Sequence, residues 1–171
     1  ARTGGHPSIH TRCIMAAFDN PAFEDHERVV FCSDKATGLK AIIAIHSTAL
    51  GPAAGGCRLW EYASDDAALT DVLRLSQGMS YKNALAGLKF GGGKAVIIKT
   101  PGFSGSAELY EQFGVSVENL GGAYVTAEDV GMTVEIMQTI ALRTKHVSGL
   151  PRKEGQAGGD PSPKTSWGIF K

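Results

Sequence analysis

No two cysteines in this chain stand close enough to form a C-x-x-C pair. Cys13, Cys32 and Cys57 are its only three. That odd number lacks both a disulfide framework and the ligand spacing of a zinc site, and it reads as a reduced, cytoplasmic protein without a metal centre. Long apolar runs are missing too, and none approaches the roughly 20 residues of a membrane-spanning helix. Neither charge sign is in surplus, with 17 Lys and Arg against 17 Asp and Glu. A partner such as nucleic acid or an anionic membrane surface therefore has no electrostatic footprint to meet. The dinucleotide fingerprint G-x-G-x-x-G occurs nowhere. A phosphate-binding P-loop is absent as well: ahead of Lys94 its first glycine would fall on Leu88, and Ala95 stands where the hydroxyl residue belongs.

Glycine, by contrast, is plentiful. Its 22 residues cluster at 51–56, 91–93, 121–122 and 155–159, in a chain that is 43% apolar. This is the punctuation of an ordered α/β chain rather than low complexity. A length of 171 residues suits one domain of ordinary size and part of a second. Residues 1–13, with Arg2 and Arg12 and no acid before Asp19, read as a tail: a leader, an expression remnant or a frayed terminus. Residues 14–147 read as the domain proper. Residues 148–171 read as a linker and the opening of a further helix, in which Trp167 and Phe170 are three residues apart.

Along the domain, Arg28 to Asp34 and Leu39 to Ala49 are β-rich runs. The loop Asp34 to Gly38 between them suits a hairpin with glycine in the left-handed position. The second run is apolar on both faces and reads as a central strand; His46 within it reads as a structural histidine. The segment Gly51 to Arg58 reads either as a glycine-rich strand exit whose backbone N–H groups hold a carboxylate, or as a plain turn. Ser64 caps a helix carrying the stripe Leu69, Val72, Leu73, Ser76 and Met79, which ends near Lys82. Ser106 caps a second helix, closed by Gly121-Gly122. A strand from Tyr124 then runs into Glu128 and Asp129, where an open α/β sheet keeps its ligands. The same Asp129 could instead cap the helix Thr133 to Leu142. Alternating strands and helices predict a βαβ-type sheet covered on both faces.

The stretch Gly78 to Lys99 carries the chemistry. Glycines 91–93 precede the apolar strand 95–98 and deliver Lys94 to its mouth. Desolvation there lowers an amine's pKa toward neutrality and fits it for proton transfer. The alternative is a lysine that lays its stem on apolar surface and keeps its ammonium in water. Lys82 lies at the edge of the preceding helix's stripe, so both lysines project toward the space beside the sheet, and two cations in one partly dry place need an anion.

Three motifs, Gly-Pro-Ala-Ala-Gly-Gly-Cys-Arg, Met-Ser-Tyr-Lys-Asn-Ala to Gly-Gly-Gly-Lys-Ala-Val-Ile, and Thr-Ala-Glu-Asp-Val-Gly, resemble the family of glutamate, leucine, phenylalanine and valine dehydrogenases. Its members deaminate L-amino acids oxidatively with NAD or NADP. The resemblance runs from about Val29 to Gly168 and implies the family's N-terminal substrate-binding and oligomerisation domain, a mixed, mostly parallel sheet with helices on both faces. It implies that Lys82, assisted by the backbone of Gly55 and Gly56, holds the substrate carboxylate. Lys94 would be a base of depressed pKa that activates water, Asp129 would carry protons to and from the nitrogen, and Met79 would line the pocket. Ala54 stands where glutamate-specific members carry a lysine, so glutamate is disfavoured: a buried distal carboxylate without a partner costs several kcal/mol. Ala127 resembles the leucine-type members, whereas the small Ala54 enlarges the pocket. The expected substrates are branched-chain aliphatic L-amino acids, with phenylalanine the runner-up. The cofactor is expected to be NAD, bound mainly by a domain outside these residues, with Thr165 near the nicotinamide. The chain alone is expected to bind NAD poorly and turn over nothing, and to form homo-oligomers. A stand-alone binding or assembly module is the rival reading.

Overall fold

The computed structural model describes residues 17–151. The order of elements after a short 3-10 turn is β1 (Arg28–Asp34), β2 (Leu39–Ser47), β3 (Ala53–Trp60), α1 (Asp65–Leu85), β4 (Gly91–Ile98), α2 (Ala107–Glu118), β5 (Tyr124–Glu128) and α3 (Val134–Ala141). The hairpin joining β1 to β2 is set by local chemistry. The Thr37 backbone N–H and hydroxyl both donate to Asp34 Oδ2 at 2.7 Å, and Gly38 takes φ +76°, a left-handed conformation that glycine adopts without a steric cost.

The five strands lie in the order β1-β2-β4-β3-β5. β2 runs antiparallel to both β1 and β4, while β3 runs parallel to both β4 and β5. Four strands therefore share one direction and β2 opposes them, a mixed sheet of the expected kind. Alternate residues of the inner strands feed two cores. Ile43, Ile45, Ala95 and Ile97 pack beneath α2 and α3, through Leu109, Phe113, Val117, Met137 and Ile140. Ile42, Ala44, Val96 and Ile98 pack beneath Leu69, Val72 and Leu73 of α1. Burying each of the Ile, Leu, Val, Phe and Met side chains among these contributes about 1.5–3 kcal/mol. All three described α-helices begin at a hydroxyl: Ser64 accepts from Ala67 N, Ser106 from Leu109 N, and Thr133 from Ile136 N.

The structure departs from the sequence reading in three places. Gly51 to Arg58 is neither a turn nor a sheet edge, since residues from Ala53 onward form β3, interior between β4 and β5. The glycines 91–93 do not precede β4 but are its first three residues, which puts Lys94 in mid-strand. Asp129 does not cap α3, because Thr133 does. The first two differences have one cause. At Gly55 an added Cβ would strike the Gly93 carbonyl, at Gly92 it would strike Ser80 and Ser76 of α1, and at Gly93 it would come within 2.7 Å of the Tyr124 ring. The glycines are in strands because other groups need their side-chain space.

α1 lies over β2 and β4 and touches β3 only lightly. On that face the far side of the sheet, β3 and β5, is left open. Past α3 the chain returns alongside β5, where Ser148 N donates to Thr126 O at 2.8 Å and Leu150 packs on the core. The residues around Thr165, Trp167 and Phe170 lie outside those described.

Candidate functional site

The open part of the α1 face is a cleft of about 760 Å³. Ala54, Gly55 and Gly56 of β3, Met79 and Lys82 of α1, Lys94 of β4, and Ala127 and Asp129 at the end of β5 all line it. Thus all the described residues expected from the sequence to form the site line one hollow; Thr165 lies outside the described residues.

Strand register explains how Lys94 reaches the other side of the cleft. Cys57 is opposite Ala95 on one side of β3, which sets Lys94 beside Gly56, and Gly56 is opposite Ala127 on the other. Lys94 and Asp129 therefore flank a position with no side chain. A Cβ at Gly56 would sit 2.7 Å from Asp129 Cβ and 2.9 Å from Glu128 O. Across that gap Lys94 Nζ meets Asp129 Oδ2 at 2.9 Å. Lys94 is only 5% exposed, as its place in an apolar strand requires, but its ammonium is paired with a carboxylate rather than isolated among aliphatics.

Asp129 has a second cation. Arg58 Nε donates to the same Oδ2 at 3.2 Å, and Arg58 Nη1 reaches Asp71 Oδ2 on α1 at 2.9 Å. Asp71 in turn accepts from the Tyr62 hydroxyl at 2.7 Å. Burial pushes the Asp129 carboxyl up, but Lys94 and then Arg58 outweigh it and hold it below the ordinary carboxylate range. Arg58 was part of a quoted motif without a role in the sequence reading. The signal that would have found it is strand alternation: once β3 is read as a strand, residues 54, 56 and 58 share a face.

The remaining frame is neutral. The buried Tyr124 hydroxyl donates to Gly55 O at 2.7 Å, pinning β3 from beneath, and burial pushes that phenol up. Asn83 Nδ2 donates to Gly91 O at 2.7 Å, tying the last turns of α1 to the start of β4. Lys82, one turn before the helix end, is exposed and has no carboxylate within 4.0 Å among the described residues. It is a cation available to an incoming anion. Leu88, Phe90 and Val130 edge the cleft with apolar surface. The arrangement offers one free and one paired cation, the Asp129 carboxylate and a small apolar wall, which is complementary to an amino acid of apolar side chain.

His46 is not part of this cleft. Its Nδ1 lies 2.8 Å from Ser80 Oγ, and its ring stacks edge-on to His26 at 4.9 Å, a structural role as the sequence implied. Among the described residues no group of His, Cys, Asp and Glu is arranged to hold a metal ion, and no helix is long and apolar enough to cross a membrane.

Comparison with known proteins gives the same direction. Residues 26–146 match the family described as Glu/Leu/Phe/Val dehydrogenase, dimerisation domain. The chain is 51% identical over 147 residues to a leucine dehydrogenase of Bacillus subtilis, covering 86% of this chain and 40% of the relative. It is 54% identical over 146 residues to a valine dehydrogenase of Streptomyces virginiae, covering 85% and 40%. The crystal structure of L-tryptophan dehydrogenase from Nostoc punctiforme superposes with a TM-score of 0.72 at 44% identity, over 85% of this chain and 40% of that one. The chain spans about 40% of the length of these relatives.

Proposed function

The chain belongs to the Glu/Leu/Phe/Val dehydrogenase family, and on that premise we propose that it is the amino-acid-binding part of an NAD-dependent enzyme that reversibly deaminates branched-chain aliphatic L-amino acids to 2-oxo acids and ammonia. The observation that carries this is the convergence of Lys82, Lys94 and Asp129 on one cleft. Lys82 takes the α-carboxylate, with the backbone of Gly55 and Gly56 close beneath it. Asp129 receives the proton of the substrate nitrogen and returns it. Lys94, which meets Asp129 at rest, takes the proton of the water that adds to the imino carbon as the neutral amine left once the substrate ammonium has replaced it at Asp129 and its own proton has departed. Its burial keeps that exchange away from bulk water.

Of the three described strand-to-helix turns, β3 to α1, β4 to α2 and β5 to α3, none carries the glycine pattern that holds a dinucleotide. The described residues do not build a site for NAD, and every role assigned here lies on the amino-acid side. Lys82 and Lys94 are the only Lys or Arg lining the cleft among the described residues. With both engaged at the α-carbon end, a glutamate side chain would find no cation, at a cost of several kcal/mol. The wall of Ala54, Val125 and Ala127 fits leucine, isoleucine or valine. The small Ala54 is what favours the second reading, an aromatic substrate. The family's dimerisation role has a candidate surface in edge strand β1, whose Phe31 is 60% exposed, so we propose a homo-oligomer.

Titration calorimetry of this chain with L-leucine, L-valine, L-phenylalanine, L-glutamate and D-leucine tests the reading. Branched-chain L-amino acids should bind, glutamate and D-leucine should not, and Lys82→Met should remove binding while leaving the melting temperature unchanged. Glutamate binding as well as leucine does, or binding indifferent to Lys82, overturns it.

A further inference from the structure

Two cations meet at Asp129, and they are held very differently. Lys94 approaches from β4 on a flexible stem of single bonds. Its only ion pair among the described residues is with Asp129. Arg58 is clamped at both ends of its guanidinium, with Nε on Asp129 and Nη1 on Asp71. The Tyr62 hydroxyl secures Asp71 from a third direction. The guanidinium thus spans from the β3–β5 side of the sheet to α1 in one planar fork, and it stays charged at any pH the protein meets.

Both cations bind the same oxygen, Oδ2, and Asp129 Oδ1 accepts no hydrogen bond from the described residues. A carboxylate gripped at one oxygen by two cations from different directions has its rotation about the Cβ–Cγ bond restrained and keeps its other oxygen available to a donor. An ammonium entering the cleft competes with Lys94 for this carboxylate. It does not compete with Arg58, whose geometry is determined from the far side. We propose that Arg58, anchored by Asp71, is the positioning residue for Asp129: it fixes Oδ2 so that Oδ1 faces the bound amino acid's nitrogen, and it keeps the carboxylate aligned while Lys94 changes partner.

This rests on the reading of Asp129 as the proton carrier. A purely mechanical strut between β3 and α1 would make a different prediction, since loosening it at Asp71, with both cations still present, would lower stability and leave the titration of Asp129 and L-leucine affinity unmoved. Both cations act against burial to hold the Asp129 carboxyl low, so removing Arg58 should raise it, and weakening its anchor should raise it less.

The experiment is a carbon-13 NMR titration of the Asp129 carboxyl in this chain, for the parent and for Arg58→Gln, Arg58→Lys, Asp71→Asn and Arg143→Gln. The last removes an exposed cation paired with Glu111 far from the cleft. The Asp129 titration should move to higher pH in Arg58→Gln, less far in Arg58→Lys and Asp71→Asn, and not at all in Arg143→Gln. L-Leucine affinity, measured alongside, should fall about tenfold in Arg58→Gln, because the substrate ammonium then loses an aligned charge-assisted hydrogen bond. An Asp129 titration unmoved in folded Arg58→Gln overturns the proposal. Should that variant not fold, Asp71→Asn retains the Arg58 guanidinium while loosening its anchor and decides by the same measure. The titration is read without substrate, so a chain that binds no amino acid sinks the functional reading separately, and the Arg58 contact is then judged on Asp129 alone.

Discussion

The same substitution, glycine to alanine, should act with opposite signs at two positions of this chain. Gly78 lies inside α1, and a Cβ added there meets nothing within 4 Å. Alanine removes the entropy that glycine loses on entering a helix, a gain of about 0.5–1 kcal/mol. Gly56 offers the same unfolded-state gain, because its backbone is not in the left-handed region. There, however, the added Cβ meets Asp129 Cβ at 2.7 Å and Glu128 O at 2.9 Å. Neither neighbour is the free end of a flexible chain, so relief requires β5 to move away from β3 by most of an ångström, against the parallel ladder that joins them. Overpacking of this kind costs about 1–3 kcal/mol, which outweighs the entropic gain. Net, Gly56→Ala should lose about 1–2 kcal/mol while Gly78→Ala gains up to about 1. Urea unfolding measures both, since small domains give midpoints that report such differences at unchanged slope. The displacement also lengthens the 2.9 Å contact between Lys94 and Asp129, so L-leucine affinity should fall with stability in Gly56→Ala and remain at the parental value in Gly78→Ala. A Gly56→Ala protein as stable as the parent, with Asp129 titrating as before, would refute the claim that this glycine is the gap across which the site is assembled.

Asn83→Ala should destabilise by about 1–3 kcal/mol, because it leaves the buried Gly91 carbonyl without its 2.7 Å donor; chemical unfolding checks it. His46 is held below its usual value by burial and then by His26, against the opposing pull of Glu24, Asp25 and Glu27. Its folded value is depressed, so the stability it contributes is full above about pH 6.5 and is lost as pH falls from there through the lowered value. The drop in melting temperature between neutral and mildly acid pH should accordingly be smaller in His46→Asn than in the parent.

What was legible in the sequence was what local chemistry decides. The hairpin at Asp34 to Gly38, the Ser64 and Ser106 caps and the stripe of α1 each depend on residues within a few positions of one another, and sequence spacing carries that information. β3 was hidden because its Ala-Ala-Gly-Gly core has low strand propensity and reads as punctuation. Only the packing of Tyr124, Asp129 and Met79 around it explains why small residues are required. The role of Arg58 was hidden for a related reason: its partners are 13 and 71 residues away, and no local pattern joins them. Asp129, expected at the end of a strand, directly follows β5, and the alternative of its capping α3 is removed by Thr133.

These two kinds of glycine use, strand interior and site, turn out to be one. Four of the five missing side chains in β3 and β4 are replaced by something the cleft or its frame needs: Asp129 over Gly56, Met79 and the Gly93 carbonyl beside Gly55, Tyr124 against Gly93, and Ser80 of α1 on Gly92; at the fifth, Gly91, the Ser47 carbonyl takes the space. The cleft is therefore made by omission within regular strands rather than by loops laid over a sheet. Such a design carries a cost in chain entropy at every glycine, and the two apolar cores on either face of the sheet offset it. It also fixes which stabilising changes the protein tolerates. Alanine is favourable where a glycine meets open space, as at Gly78. Along Gly55, Gly56, Gly92 and Gly93 a methyl group takes the space of a site residue or of one that positions it, so stability and binding should decline together instead of trading against each other.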